Sequence, residues 1–199
     1  YEIASCLVGS EMCIRDSAAT GLAPRYINYK ENIMTNQTNH INHTNHINHI
    51  NKTAIITGAS RGIGAAIAKK LASCGYNLSL CCRNSSDRLK ALADELHCAY
   101  GIEVLCYTGN VGDFFFAKDM VTKTISHFGH IDVLINNAGI SHIGLLSDMT
   151  PDEWNNIVAI NLTGVFNFTK LVTPYMVADK CGRILQISSV WGNVGASCE

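Results

Sequence analysis

The stretch that decides the fold runs KTAIITGASRGIGAAIAKKLASCG, from Lys52 to Gly75. Its opening, KTAIIT, is a compact β-branched run, and its end, GIGAAIAKKLASCG, carries Ile63, Ile67 and Leu71 at helical spacing. Between the two stands Thr57-Gly58-Ala59-Ser60-Arg61-Gly62-Ile63-Gly64. Glycines here let the backbone turn sharply and approach a pyrophosphate, while a helix opening directly behind them offers unpaired N–H groups to negative charge. A glycine triplet alone says little. One seated between a strand and a helix reads as a phosphate cradle.

Downstream, the alternation continues. NLSLCC reads as a second strand, SSDRLKALADELHCAY as an amphipathic helix opening on Ser and Asp cap residues, and EVLCYT as a third strand. DFFFAKDMVTKTISHFG then reads as a helix and IDVLINN as a fourth strand. A long helix from about Pro151 to Ala178 leads to a fifth strand, GRILQIS. Such an order predicts an α/β fold, a Rossmann-type doubly wound parallel sheet with helices on both faces, truncated after the fifth strand.

Upstream, the first fifty residues hold no sustained period of 2 or 3.6. The division expected is therefore an arm at 1–51 and a nucleotide-binding domain at 52–199. Within the arm, SCLVGSEMCIRDS from Ser5 to Ser17 resembles translated sequencing-adapter DNA, which would put the native start at Met34. After it, TNHINHTNHINHIN sets His40, His43, His46 and His49 in a three-residue register. The tract reads as a polar low-complexity arm that cannot build a core; a metal site is the sharper alternative, but no carboxylate or cysteine completes one.

The bulk composition narrows the function. With 47% hydrophobic residues in 199, the chain has material for one ordinary domain, and a formal net charge of -1 gives no reason to expect nucleic acid or an anionic membrane. Nine cysteines include no CxxC pair, and several lie in apolar segments, as reduced cysteines of a cytoplasmic protein do. No run approaches the roughly 18 apolar residues of a membrane span, and no basic region precedes an apolar core at the N-terminus.

The loop spacing is G-x-x-x-G-x-G rather than the commoner G-x-G-x-x-G, and Asn136-Asn137-Ala138-Gly139 follows the fourth strand. Together these motifs resemble the short-chain dehydrogenase/reductase family, over about Lys52 to Glu199. The resemblance implies nicotinamide cofactor binding by Thr57, Gly58, Ser60, Arg61, Gly62, Ile63 and Gly64, and by Asn137, Ala138 and Gly139. Asn110 and Val111 stand where the family often carries an aspartate against the adenine; asparagine can still bond an adenine amino group. An acid at the end of the second strand would bind a ribose 2′-hydroxyl, but the residue there is the uncharged Cys82, followed by Arg83. With Arg61, Arg83 points to NADP(H) rather than NAD(H). Arg83 as a merely solvated charge is the competing reading.

In the resembling family a tyrosine, a lysine, a serine and an asparagine carry the reduction of a carbonyl. Asn161, in VAINLTG, matches the asparagine, and its apolar neighbours favour a buried, hydrogen-bonded side chain over the competing reading of a polar residue on the helix surface. Ser189 matches the serine, with Ser188 and a purely local strand-end role as alternatives. The tyrosine and lysine should form Y-x-x-x-K on one helix face after the serine. Tyr26 with Lys30 fits literally but precedes the first strand, and Tyr175 and Lys180 are five apart and precede the fifth. By family spacing the pair is expected beyond Glu199.

The resemblance is strongest to 3-oxoacyl-[acyl-carrier-protein] reductases. The tail WGNVGASCE also looks like relatives that reduce a 5-aminopentanone group on translation elongation factor P. A small-molecule or carrier-bound ketone is the expected substrate, and a homodimer or homotetramer the expected state of an intact parent. The alternative from another class is a cofactor-binding module without turnover, with an open edge at the fifth strand and an exposed apolar face.

Overall fold

The structure is a computed structural model that describes residues 51–194 and the backbone of Met12–Cys13. The arm, including the histidine tract and Tyr26 and Lys30, otherwise lies outside the described residues, as does the end of WGNVGASCE.

The parallel sheet follows the expected alternation. After the two-residue β1 (Met12–Cys13) come β2 (Thr53–Ile56), β3 (Asn77–Cys82), β4 (Val104–Thr108), β5 (Val133–Asn136) and β6 (Arg183–Gln186), in the spatial order β1-β6-β5-β2-β3-β4. β2 through β6 are mutually parallel. β1 runs antiparallel to β6, with Met12 opposite Ile184 and Cys13 opposite Arg183, so a short pairing stands on the edge that the sequence left open. β2, β3 and β5 are buried at every residue, and the polar Asn77 and Ser79 of β3 are satisfied inside, by the Glu103 N–H and the Thr124 hydroxyl.

Two layers of helix cover the sheet. α1 (Gly62–Ser73) and α2 (Ser86–Tyr100) lie on one side, where Ala68, Ala72, Leu89, Leu92 and Leu96 meet Ala54, Ile56, Leu78 and Leu80. α3 (Phe114–Phe128) and α5 (Gly164–Ala178) lie on the other, where Met120, Phe168, Val172 and Met176 meet Ile55, Leu134 and Ile184. Successive strand residues therefore feed opposite cores. Cys81 belongs to the α3 and α5 side and Cys82 to the α1 and α2 side.

Several local expectations change. Ile63 does not join the core face of α1: it is 58% exposed, while Gly64, Ala68 and Ala72 are the buried residues, small enough for the helix to lie close to the sheet. The long helix is continuous in path but not uniform. α4 (Pro151–Val158) opens with a capping box, in which the Thr150 hydroxyl accepts from the Glu153 N–H and the Glu153 carboxylate accepts from the Thr150 N–H. A π-helical segment over Ala159–Thr163 then passes into α5.

By length and composition the helix Pro151–Ala178 could cross a membrane, an 18-residue window within it having a mean hydropathy of 1.2. The sequence reading missed this because interspersed polar residues break the apolar run. Of that window 28% is buried, and its buried residues, including Phe168, Val172 and Met176, pack into the core.

Candidate active site

The center of the site is the junction between the loops that follow β2 and β5, the place where the strand order reverses direction. Thr57, 2% exposed, fastens them together. Its hydroxyl accepts from the Asn137 and Ala138 N–H groups, each at 3.0 Å, and donates to the Ile135 carbonyl at 3.5 Å. Asn137 answers from the other loop, its Nδ2 donating to the carbonyls of Thr57 at 2.9 Å and Gly58 at 3.1 Å. Both loops are thus held by buried or half-buried polar pairs that leave few alternatives for the backbone.

Glycine is required at two places for different reasons. Gly58 has φ of +67°, and a Cβ there would sit 2.9 Å from the Ala138 Cα. Gly64 has ordinary helical geometry, but its Cβ would lie 2.5 Å from the Gly58 carbonyl oxygen and 2.6 Å from the Asn137 Nδ2. Any side chain at Gly64 would therefore push the two loops apart.

Above this junction opens a cavity of about 490 Å³. Gly58, Ser60, Arg61, Gly62 and Ile63 form its floor at the start of α1, where no side chain caps the helix and the first turn holds no acid. That end of α1 carries the positive pole of the helix, suited to a phosphate. Ala138 and Gly139 line the side next to β5; Asn137 lines it too while bracing the loop. Cys82 and Arg83 line the side next to β3, and Asn110 and Val111 the side after β4. The cradle that a Cβ would fill, the open helix start and the basic rim all fit the diphosphate of a dinucleotide.

The charges at the rim agree. Cys82 is 4% exposed and offers no carboxylate, and among the described residues neither Arg61 nor Arg83 forms an ion pair. Burial pushes the Cys81 thiol up to about 12, so it stays neutral beneath the cradle and adds no negative charge against a phosphate. The Asn110 Oδ1 accepts from the Gly112 N–H at 3.0 Å, which fixes the amide but leaves that oxygen a second lone pair for an amino group.

One residue that supports this wall escaped the sequence reading. Asn167, 2% exposed on α5, donates from Nδ2 to the carbonyls of Val111 at 3.1 Å and Gly112 at 3.2 Å. Its signal was an amide within the apolar run GVFNFTKLV, one helical turn from Gly164 and Leu171. Gly112 in turn admits the π segment, since a Cβ there would lie 2.7 Å from the Ala159 carbonyl oxygen.

The catalytic candidates are less enclosed. Asn161 lies in the π segment and is hydrogen-bonded as expected, its Oδ1 accepting from the Ile140 N–H at 2.9 Å and its Nδ2 donating to the Ile140 carbonyl at 2.7 Å. It is exposed, however, not buried. Apolar neighbors misled because the inward face of this helix is carried by Ile160 and Gly164, while Leu162 is itself 66% exposed. Ser189 is exposed beyond β6, and its hydroxyl accepts from the Trp191 N–H at 3.3 Å, capping a short 3-10 turn over Val190–Gly192. Neither Asn161 nor Ser189 lines the cavity. Tyr175 stands on α5, well before β6, as the sequence placed it.

Comparison with known proteins agrees with this geometry. The family model described as short chain dehydrogenase matches residues 52–199. A 3-oxoacyl-[acyl-carrier-protein] reductase of Staphylococcus aureus is 42% identical over 144 residues, covering 72% of this chain and 58% of its own length. A D-beta-hydroxybutyrate dehydrogenase of Cupriavidus necator is 37% identical, covering 73% of this chain and 56% of its own length. Among solved structures, a metagenomic short-chain oxidoreductase in complex with NADP superposes with a TM-score of 0.70 at 36% identity, covering 73% of this chain and 66% of that one. The chain thus spans under three-fifths of the length of these two curated relatives.

Proposed function

The chain belongs to the short-chain dehydrogenase family of oxidoreductases, and from that premise we propose that the whole protein reduces a ketone to an alcohol with NADPH, on a carrier-bound 3-oxoacyl group. The observation that carries the cofactor choice is the rim of the cavity: an uncharged Cys82, with Arg61 and Arg83 beside it and no paired acid among the described residues. A 2′-phosphate would gain charge-assisted bonds there, and a carboxylate that would repel it is missing. The 3-oxoacyl substrate is supported by the relatives' names and not by any group in the cavity.

When bound, the cofactor supplies the hydride. The residues of this chain would do the rest of the holding. Gly58, Ser60, Gly62, Ile63 and the start of α1 would receive the diphosphate, Asn110 and Val111 the adenine, and Asn137, Ala138 and Gly139 the nicotinamide end. Gly64 and Thr57 would keep the floor in shape. Ser189 would polarize the carbonyl with its O–H, which remains free to donate while the oxygen accepts from the Trp191 N–H, and Asn161 would fix a proton-relay water. A tyrosine and a lysine in Y-x-x-x-K spacing would complete the proton path from sequence beyond Glu199.

The test is NADPH oxidation by the purified full-length protein, followed with an acetoacetyl thioester and with elongation factor P bearing the 5-aminopentanone group. Turnover of the thioester with NADPH, and slower turnover with NADH, is expected. Binding of NADPH without oxidation on either substrate would reduce the protein to a cofactor-binding module, and preference for the modified factor would replace the substrate.

A further inference from the structure

We propose that Asn156 is a positioning residue for cofactor choice, holding the Arg83 guanidinium across the mouth of the cavity while leaving its charge intact; this rests on the NADPH reading above. Arg83 follows β3, and Asn156 is on α4, far away in sequence. Their side chains nevertheless meet, the Arg83 Nη1 donating to the Asn156 Oδ1 at 3.3 Å. Asn156 precedes Ile160 by one helical turn, and Ile160 is buried and lines the same cavity as Arg83. The hydrogen bond therefore ties the arginine that follows β3 to α4, one turn before a residue that lines the cavity.

The chemistry of the partner matters. A guanidinium has five N–H donors, and one neutral amide oxygen occupies one of them while canceling none of the charge. A carboxylate at the same place could take two donors and neutralize the group, which would then be a poor receiver of a phosphate. The nearby Glu153 does not play that part: its carboxylate is turned to the Thr150 N–H and hydroxyl, each at 2.8 Å. The side chain of α4 that reaches Arg83 is an uncharged acceptor.

Dissociation constants for NADPH, NADH, 2′,5′-ADP and 5′-AMP, measured by calorimetry on the full-length protein, test this without relying on turnover. The wild-type protein is expected to favor NADPH over NADH and 2′,5′-ADP over 5′-AMP. Asn156→Ala should lower that preference about twofold and Asn156→Asp about fivefold, the upper end of the scale of an exposed charge pair, with binding of the unphosphorylated ligands unchanged. Asn156→Gln should restore most of it. In an Arg83→Ala background neither Asn156→Ala nor Asn156→Asp should change the ratio further. If Arg83→Ala abolishes the preference but Asn156→Ala and Asn156→Asp leave it intact, the positioning role falls and the NADPH reading stands. A shift by Asn156→Asp that persists without Arg83 also overturns it. A wild-type protein with no preference sinks the NADPH reading itself. All substitutions lie at exposed positions, and far-ultraviolet circular dichroism checks that each variant is folded.

Discussion

The cofactor side and the catalytic side of the cleft are built differently. Around Thr57, Gly64 and Asn137 the side-chain polar contacts run between the two loops and to Ile135 on β5, at buried or half-buried positions, and Gly64 has no room for an added methyl group. Around Asn161 and Ser189 the hydrogen bonds are exposed or local, and large apolar side chains such as Leu146, Leu162 and Trp191 face outward. The first region is shaped before any ligand arrives. The second holds its groups near a surface that still exposes apolar area, as interaction faces do.

Substitutions can break that contrast, and the largest effect is expected at Gly64. Gly64→Ala puts a methyl group against backbone oxygen and should cost about 3 kcal/mol in chemical denaturation, with loss of NADPH binding. A fully stable Gly64→Ala protein would mean that the loops are not locked. Next, Thr57→Val removes the acceptor of two N–H groups and should cost about 2 kcal/mol, while Thr57→Ser should recover most of it.

Asn161→Ala tests the other side. Its bonds to Ile140 are exposed, so a loss of no more than about 1 kcal/mol is expected, together with at least a tenfold fall in turnover of the full-length protein, on the general scale of proton-transfer groups. Equal destabilization by Asn161→Ala and Thr57→Val would erase the distinction between the regions.

The smallest effect is expected at Glu153, whose carboxyl is held below its usual range by the Thr150 backbone N–H and, less strongly, the Thr150 hydroxyl. A carboxyl with a depressed folded pKa contributes stability above its unfolded pKa and loses it as pH falls through the folded one. Glu153→Gln should therefore remove a small part of the acid-side decline in melting temperature and leave the curve at neutral pH almost unshifted in shape. An unchanged acid-side slope would deny the carboxylate its role in the cap.

The sequence carried the cradle more fully than the catalytic side, for physical reasons. Gly58, Gly64 and Asn137 are constrained by steric contact and backbone bonding, and such demands leave few residue types to choose from. Ile63 was misplaced because helical spacing marks a face without saying whether that face meets the sheet or a cavity. Asn161 was read as buried from its neighbors, but the π segment and the packing of Ile160 decide which way each residue turns, and neither is visible in a window of residue types. Asn167 and Asn156 act across the fold, so their partners could not be found by local spacing.

Cys81 and Cys82 are adjacent on one strand yet belong to different cores. The separation has a consequence for repacking: a residue exchanged at Cys82 would press on the layer beneath α1 and α2, and one exchanged at Cys81 on the layer beneath α3 and α5, so that two consecutive codons answer to separate packing constraints.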